Sequence, residues 1–438
     1  MRTCVIDIPG LTGRLLDRLD LKRTPRWFDR LVRTHRTAIR PQLPAVTMPV
    51  QATFTTGVDP SDHGIIANGL PTWRLPEVRS ALDLASYVPY RSKVSFWEQS
   101  NQLLTAPRVW TKDGRKVALL FVQSSMQGAA DIVVTPKPEH TADGRMIPKC
   151  WTDPPDLHKR LTAELGPFPL QNYWGPAAGM DSSAWIIKAA IRVWQWEMAD
   201  LQFVYVPQLD YDLQRLGPDD PAVIESIYQV LDLLTPMFQA AKEGGARVLI
   251  LSEYGMTAVD RSVAPNAHLR AAGLLEVNAA GEVDYDASAV FALCDHQVAH
   301  VYCRDAKATD EAESLLSALE EVHLVYRGAQ RAEIGLDSPR SGDLVVFSHA
   351  DAWFEYRWWD DWTQAPDYAW EVDIHRKPGY DPTELFWDPQ GKRIHADRPQ
   401  MVKGSHGAFP PDQADWPVLI GRPRAPDTCT AAEIANMI

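Results

Sequence analysis

The chain is 438 residues long and 45% hydrophobic, so it can bury the core of one large domain or of a few smaller ones. Its 44 Lys and Arg against 57 Asp and Glu give a formal net charge of −13, which argues against broad electrostatic binding of a nucleic acid polymer or an anionic membrane. The five cysteines form no C-x-x-C pair, which predicts reduced thiols and a cytoplasmic location.

We expect neither a signal peptide nor a transmembrane span. Asp7 interrupts the first apolar run after a few residues, and no apolar run elsewhere reaches the roughly 18 residues that a spanning helix needs.

Short apolar runs alternate with helical patterns along the chain. The apolar runs are "CVID", "ADIVVTP", "LQFVYVPQLD" and "ARVLILS" in chain order. The helical pattern "SSAWIIKAAIRVWQWEMAD" precedes the third run. Continuous apolar runs are typical of strands that are buried on both faces. The pattern therefore predicts an α/β fold with a mostly parallel central sheet flanked by helices.

Acidic side chains lie at the carboxyl ends of three of these strands, at Asp7, Asp210 and Glu253. Open α/β sheets bind ligands in the crevice at this edge, because the strand ends and the following loops converge there. We therefore expect the functional site at this edge of the sheet.

The pattern changes between residues 267 and 340, where strand-like segments surround the helical pattern "ATDEAESLLSALEEV". We interpret this region as a small inserted α+β cap over the crevice, and residues 1–266 and 341–438 as the core domain. The segment that follows, up to about residue 388, is rich in Trp, Asp and Pro, which is typical of an ordered functional loop.

Four motifs carry a family resemblance: "VIDIPGL", "PAVTMPVQATFTTGVDPSDHGIIANG", "LSEYGM" and "KGSHG". In this order they resemble the type I phosphodiesterase/nucleotide pyrophosphatase family of the alkaline phosphatase superfamily. The resemblance implies an alkaline-phosphatase-like core and a metal-dependent hydrolase that cleaves a phosphodiester, pyrophosphate or related phosphoryl bond through a Thr nucleophile.

Thr47 and Asn68 are the predicted catalytic residues. Thr47 precedes Pro49 at the start of a predicted helix, where its hydroxyl would lie at the positive end of the helix dipole. The side-chain amide of Asn68 could donate to a phosphoryl oxygen. A helix cap and a turn residue are the structural alternatives for an isolated Thr and Asn, and the surrounding motif favours the catalytic interpretation.

The resemblance also implies one or two divalent metal ions, Zn or Mn, at the strand ends. Asp7, Thr47, Asp210 and His406 match ligand positions of the family, and Glu253 keeps a carboxylate at a fifth. Two expected imidazoles are missing, because Tyr254 and Gln214 stand at those positions. A phenol and a neutral amide are poor metal ligands.

We expect His375 and Asp381 in "DIHRKPGYDPTELF" to replace the missing ligands, since the Pro378-Gly379 turn between them could direct both side chains to one point. For His296 and His300 in "CDHQVAH" we expect a structural role in the cap.

Two other functions stay open: a catalytically altered, ligand-binding member of the same fold, and a phosphomonoesterase of the superfamily. The expected partner is a small phosphorylated substrate, with no nucleic acid polymer and no membrane, and the sequence leaves a homodimer open.

Overall fold

The computed structural model describes residues 2–76, 78, 93–97, 100–140, 146–372 and 374–438. In chain order, the strands in these segments are β1 Thr3–Asp7, β2 Arg36–Arg40, β3 Gly69–Pro71, β4 Val94–Phe96, β5 Val117–Leu120, β6 Ile132–Pro136, β7 Glu139–His140, β8 Met146–Ile147, β9 Cys150–Asp153, β10 Leu201–Tyr205, β11 Arg247–Leu251, β12 Thr257–Ala258, β13 Arg261–Val263, β14 Val290–Asp295, β15 Val298–Cys303, β16 Val322–Arg327, β17 Leu344–Ser348, β18 Ala352–Phe354, β19 Trp387–Asp388, β20 Arg393–Ile394, β21 Gly404–Ser405, β22 Val418–Ile420 and β23 Thr428–Thr430.

The α-helices in the same segments are Gly13–Asp17, Arg26–Thr34, Thr47–Thr56, Pro60–His63, Leu157–Leu165, Met180–Glu197, Gln208–Leu216, Pro221–Glu243, Pro265–Ala271, Ala306–Ser317 and Ala431–Ile434. The 3-10 helices are Asn101–Leu103, Val109–Lys112, Leu170–Asn172, Gly328–Ile334, Trp362–Gln364, Asp367–Trp370, Ile374–Arg376, Pro382–Leu385, Pro399–Met401 and Gln413–Asp415. Within the described residues, no helix is both long and apolar enough to cross a lipid bilayer.

The central sheet has the strand order β23-β2-β22-β11-β1-β10-β5-β6-β9. The five strands β11, β1, β10, β5 and β6 are parallel neighbours, while β22 and β9 pair antiparallel with their neighbours. The predicted α/β fold with a mostly parallel sheet is therefore confirmed.

Both faces of this sheet are covered. Successive residues of β1 alternate between two hydrophobic clusters, with Ile6 on one face and Val5 on the other. The helices Met180–Glu197 and Pro221–Glu243 contribute to the Ile6 side, and the helix Thr47–Thr56 contributes to the Val5 side. This two-sided burial explains why the strands read as continuous apolar runs.

The register of β1 places its carboxyl end at the centre of the sheet. Asp7 pairs with Tyr205 of β10 on one side and with Leu251 of β11 on the other. The carboxyl ends of these three strands therefore lie side by side, with Asp7 at the end of β1 and with Asp210 and Glu253 in the segments that follow β10 and β11. Asp210 itself lies in the first turn of the helix Gln208–Leu216, since β10 ends at Tyr205.

A second, antiparallel sheet has the order β14-β15-β17-β16 and packs with the helix Ala306–Ser317. It corresponds to the predicted α+β insert, although its strand β17 lies beyond residue 340, where the insert is predicted to end. The exact division of the chain into core and cap stays a prediction. The hairpin formed by β14 and β15 turns at His296 and Gln297, and His296 lines the same cavity as Tyr205 at the end of β10.

Candidate active site

A partly enclosed cavity of about 60 Å³ lies beyond the carboxyl ends of β10 and β11. This is room for a few water molecules or for one compact oxyanion. The lining residues are Thr47, Trp97, Gln123, Pro136, Tyr173, Trp174, Tyr205, Asp210, Tyr211, Gln214, Tyr254, His296, Ile374, His375, Tyr380 and His406. Aromatic rings form much of the wall, and its other polar side chains are those of Thr47, Gln123, Asp210, Gln214 and the three histidines.

Thr47 is the first residue of its helix, after Val46 in extended conformation. Pro49 fits the first turn of this helix because its missing N–H would have no intrahelical partner there. The helix is fully buried, and His63 supports it from the following short helix. The His63 Nδ1 accepts from the backbone N–H of Ile65 at 3.1 Å, so its Nε2 donates to the hydroxyl of Thr53 at 2.9 Å.

Asp7 and Glu253 form a buried carboxyl pair that is bridged by Gln51. The backbone N–H of Gln123 donates to Gln51 Oε1 at 2.7 Å, which turns Gln51 Nε2 towards the carboxyl groups. This nitrogen donates to Glu253 Oε1 at 2.5 Å and to Asp7 Oδ2 at 3.3 Å. Burial raises the pKa of Asp7 to about 7 and the pKa of Glu253 well above its usual value, so the pair retains a proton near neutral pH.

Tyr254 lies between the nucleophile candidate and Asp210. Its phenol oxygen is 3.2 Å from Thr47 Oγ1 and donates to Asp210 Oδ1 at 3.1 Å. Its ring stacks on the imidazole of His406, with centroids 3.7 Å apart and an interplanar angle of 4°. The residue after Tyr254 is Gly255, where a Cβ would lie 1.7 Å from the carbonyl oxygen of Asp415. Burial raises the pKa of Tyr254 well above its usual value, so the phenol stays protonated.

Asp210 accepts a second hydrogen bond, from Gln214 Nε2 at 2.5 Å, and its Oδ1 lies 3.7 Å from His406 Nε2. Burial raises the pKa of Asp210 to about 6. His406 Nδ1 donates to the carbonyl oxygen of Ala45 at 2.8 Å, and burial lowers the pKa of His406 well below its usual value. His406 is therefore a neutral ring in a hydrogen-bonded cluster.

Asn68 joins the start of the Thr47 helix to the second sheet. Its Oδ1 accepts from the backbone N–H of Met48 at 2.9 Å, and its Nδ2 donates to Asp295 Oδ2 at 2.8 Å. Asp295 Oδ1 in turn accepts from His296 Nδ1 at 2.7 Å. Asn68, which the sequence predicts to donate to a phosphoryl oxygen, therefore donates to Asp295 in this structure.

The two loop residues proposed as replacement ligands lie in different places. His375 lines the cavity, with its Nδ1 3.4 Å from the carbonyl oxygen of Phe96 and its ring edge-on to Trp174. Asp381 is buried outside the cavity lining, where its Oδ1 accepts from the backbone N–H of Tyr356 at 2.9 Å. The replacement hypothesis stays a prediction, and only His375 lies where it requires.

Residues 3–381 match the family model described as type I phosphodiesterase / nucleotide pyrophosphatase. The chain belongs to this family. The resemblance of the sequence motifs is therefore confirmed, and the family takes its name from enzymes that hydrolyse phosphodiester and pyrophosphate bonds. A comparison with curated protein sequences gives no significant match.

Solved structures of the family's fold superpose on nearly the whole chain. Murine ectonucleotide pyrophosphatase/phosphodiesterase 5 has a TM-score of 0.59 and 14% identity, covering 100% of this chain and 93% of that chain. The human protein of the same name has a TM-score of 0.59 and 16% identity, with the same coverage. Phosphonoacetate hydrolase from Sinorhizobium meliloti, in complex with phosphonoformate, has a TM-score of 0.63 and 14% identity, covering 99% of this chain and 94% of that chain.

In this family member Gln214 and Tyr254 occupy two positions of the two-metal set that the motif resemblance implies, and the metal site stays a prediction. Gln51 donates to Asp7 and Glu253, and Gln214 and Tyr254 donate to Asp210. Asp7 Oδ1 and Glu253 Oε2 are buried and have no hydrogen-bond partner among the described residues. Among the described residues, no group of three or more His, Cys, Asp or Glu side chains has the arrangement of a metal site.

Sequence reasoning did not identify the bridging role of Gln51 or the position of His296. Gln51 follows Thr47 by four positions in one helix, and this spacing, which places both side chains on one face, is a usable signal. The sequence predicted a structural role in the cap for both His296 and His300. His300 is structural, with Nε2 3.1 Å from the carbonyl oxygen of Ile66 and Nδ1 accepting from Gly342 at 3.2 Å, whereas His296 lines the cavity.

Proposed function

We propose that this protein hydrolyses a phosphodiester or a related monoanionic phosphoryl ester, with Thr47 as the nucleophile. One observation carries the proposal: the hydrogen-bonded chain from Thr47 through Tyr254 to Asp210 at the cavity wall. A hydroxyl becomes a competent nucleophile when an adjacent group accepts its proton.

The chain of hydrogen bonds has one direction. Because the Tyr254 hydroxyl donates to the carboxylate of Asp210, its oxygen accepts the proton of Thr47. When Thr47 Oγ1 attacks phosphorus, the bond from phosphorus to the leaving oxygen breaks, the Thr47 proton passes to Tyr254, and the phenol proton passes to Asp210. The leaving oxygen departs as an anion or takes a proton from water. A water molecule then displaces Thr47 Oγ1 from phosphorus, and Thr47 regains its proton from Tyr254 as Asp210 returns its own. The two donor–acceptor distances, 3.2 and 3.1 Å, are within the range over which protons transfer once substrate tightens the site.

The charge of the cavity favours a substrate with one negative charge. Its described lining residues contain a carboxylate, Asp210, and contain no Lys or Arg. A phosphodiester carries one negative charge and a phosphomonoester nearly two at neutral pH, so the diester costs less to bury here. The aromatic wall, including Trp97 and Trp174, suits the organic group of such an ester.

Structures of two relatives contain small phosphorus-bearing ligands. The murine phosphodiesterase 5 structure includes an inactive threonine-to-alanine variant in complex with AMP, and the Sinorhizobium enzyme binds phosphonoformate. These ligands support a small phosphorylated or phosphonylated substrate for the present chain.

The proposed proton transfer requires no resident metal, and none of its steps involves one. The predicted Zn or Mn ions would have to bind through Asp7, Glu253, Asp210 and His406 against the hydrogen bonds described above. Elemental analysis of the purified protein, before and after incubation with Zn²⁺ or Mn²⁺, tests that prediction separately from the role of Thr47.

The test of the function is turnover of bis(p-nitrophenyl) phosphate by Thr47→Ala and Thr47→Ser. Loss of the attacking oxygen should lower kcat by roughly 10⁴-fold or more, while the Ser variant keeps a hydroxyl and measurable activity. Thermal unfolding of both variants controls for folding. A Thr47→Ala enzyme within tenfold of wild type would exclude Thr47 as nucleophile.

A second candidate function is ligand binding without turnover. It is motivated by Gln51, Gln214 and Tyr254, which donate hydrogen bonds to the carboxyl groups of the site. Wild-type protein that binds AMP or a diester in calorimetry but releases no p-nitrophenol, with or without added Zn²⁺ or Mn²⁺, would support this function over the hydrolase.

A further inference from the structure

A second and larger concavity, the apolar groove, lies next to the active-site cavity. Its volume is about 610 Å³, and its lining residues include Pro148, Trp174, Pro176, Ala177, Val372 and Trp387. Apart from the indole N–H groups, Gln171 provides the only polar side chain among the described lining residues, and none of those residues is charged. A charged ligand group would therefore lose its hydration here without gaining a partner.

Trp174 joins the groove to the active-site cavity. It lines both, and its ring lies edge-on to the imidazole of His375, which also lines the cavity, with centroids 5.2 Å apart. Gly175 fixes this junction, because a Cβ there would lie 2.5 Å from Val372 Cγ1. Val372 lines the groove, and Ile374, two positions later, lines the cavity. The two concavities therefore share one wall.

The sizes of the two concavities divide the substrate between them. The active-site cavity, at about 60 Å³, holds one compact oxyanion and has no room for a sizeable organic group. The organic group of an ester whose phosphoryl group lies at Thr47 must therefore extend beyond the cavity. The apolar groove adjoins the cavity at Trp174 and is large enough to receive that group.

Trp387 gives an independent observation. It is 45% exposed, although an indole is one of the largest apolar side chains, and it lies in the short strand β19 at the groove. Ile147, which precedes Pro148, is a second large apolar residue with an exposed side chain. Apolar surface around a concavity is typical of ligand-binding grooves, because a bound apolar group removes that surface from water.

We propose that the apolar groove binds an uncharged, apolar organic group of the substrate while the phosphoryl group lies in the active-site cavity; this inference rests on the proposed hydrolase function. Trp174 and Trp387 are then specificity-determining residues, and the substrate class is a phosphodiester of an apolar alcohol or phenol. A nucleoside suits the groove less well, because Gln171 alone would face its sugar hydroxyls and polar base edges.

Binding of methylphosphonate monoesters tests the groove without turnover. Each ester has a single negative charge, like the proposed substrate, and a single organic group, which is methyl, butyl, octyl, naphthylmethyl or adenosine. In calorimetry the octyl ester should have a Kd about 10²-fold lower than the methyl ester, since each buried methylene favours transfer from water. The adenosine ester should bind about tenfold more weakly than the octyl ester.

The naphthylmethyl ester distinguishes the two sources of an apolar group. Tighter binding than the octyl ester would assign an aryl group to the groove, and weaker binding an alkyl group. Either result requires that both esters bind more tightly than the methyl ester.

The variants for the test are Ala177→Trp and Trp387→Ala, and neither position lines the active-site cavity. Ala177 is exposed, so a larger side chain there can fill the groove without a clash in the core. Trp387→Ala removes one wall. In both variants the preference for octyl over methyl should fall about tenfold.

Phe409→Ala is the matched control and should keep the wild-type preference. Phe409 is also an exposed aromatic residue, at 39%, and it lies outside the lining of the groove. Thermal unfolding of all three variants controls for folding.

Different results identify different failures. Equal Kd values for the methyl and octyl esters, or an octyl preference that both groove variants retain, would overturn this inference, and so would tighter binding of the adenosine ester. Turnover of bis(p-nitrophenyl) phosphate by the same wild-type protein would show that the proposed function survives that failure. Binding that depends on chain length and on Trp387, in a protein that hydrolyses no ester, would overturn the hydrolase function and retain the groove as a ligand site.

Discussion

Gln51 bridges the buried carboxyl pair formed by Asp7 and Glu253. Its orientation is fixed by a backbone N–H, because Gln123 donates to Oε1 and so directs the amide nitrogen to Asp7 and Glu253. An amide donor and one retained proton together stabilise two buried carboxyl groups that would otherwise repel each other.

Gln51→Glu should convert this pair into a group of three carboxyls. The loss of the donor and the added buried charge should lower the free energy of unfolding by about 3 kcal/mol or more. Mn²⁺ should recover part of the loss by binding the folded state, as a rise in Tm with concentration. The control is Gln102→Glu, the same charge change at an exposed position. A Tm that does not change with Mn²⁺ concentration would contradict this prediction.

Tyr254 is the only link between Thr47 and Asp210 that the hydrogen bonds of the described residues provide. Tyr254→Phe removes the hydroxyl and keeps the ring on His406, so the protein should fold. Turnover of bis(p-nitrophenyl) phosphate should fall about 10²-fold, the size of a lost proton-transfer group. Bound metal per chain should stay at the wild-type level in elemental analysis. Wild-type kcat in this variant would refute the relay.

At the scale of elements, the helix Thr47–Thr56 depends on a buried imidazole. His63 bridges Thr53 in this helix and Ile65 in the chain that leaves the short helix Pro60–His63. Burial lowers the pKa of His63 from 6.5 to about 3, since the charged ring would lose its hydration. The neutral ring thus supports the element that carries the nucleophile.

Acid should therefore destabilise the protein through His63. Between pH 6 and pH 4 the unfolded chain binds a proton at this histidine and the folded protein does not, so stability falls as pH falls, by about 1.4 kcal/mol per pH unit. Urea unfolding of wild type and His63→Gln at pH 4, 5 and 6 measures the difference in slope. His323→Gln, at an exposed position, is the control and should keep the wild-type slope.

At the scale of the whole molecule, the site is assembled from both sheets. The central sheet supplies Asp7, Asp210 and Glu253 from adjacent strand ends, and the hairpin of the second sheet supplies Asp295 and His296. The helix Thr47–Thr56 lies on one face of the central sheet. Asn68 links this helix to the hairpin, because it accepts from Met48 and donates to Asp295. All five cysteines are buried and none forms a disulfide bond.

The five thiols should be unreactive in the native protein. Burial raises the pKa of Cys4 and of Cys429 to about 12, which suppresses the thiolate that reacts. Titration with an aromatic disulfide reagent should therefore detect few or no thiols before unfolding and all five in denaturant. Fast reaction of one thiol in the folded state would show that its segment opens. The titration tests neither the predicted cytoplasmic location nor whether the protein forms a homodimer.

The sequence by itself determined the family and the mostly parallel sheet, and it predicted that Asp7, Asp210 and Glu253 lie at one edge of that sheet. Continuous apolar runs report two-sided burial, and the Thr47 motif is contiguous, so local order contains both. Asp7, Asp210 and Glu253 could be placed together because carboxyl ends of adjacent parallel strands meet.

Only the tertiary structure decided what these groups bond to. Asp295 is 227 positions from Asn68, and no local pattern predicts that long-range pair or the position of His296 in the cavity wall. The orientation of Gln51 depends on a backbone N–H 72 positions away. His375 and Asp381 are close in sequence yet point to different environments, since the turn between them packs Gly379 against Tyr356. Hydrogen-bond partners depend on packing between distant segments, and composition and spacing do not encode that packing.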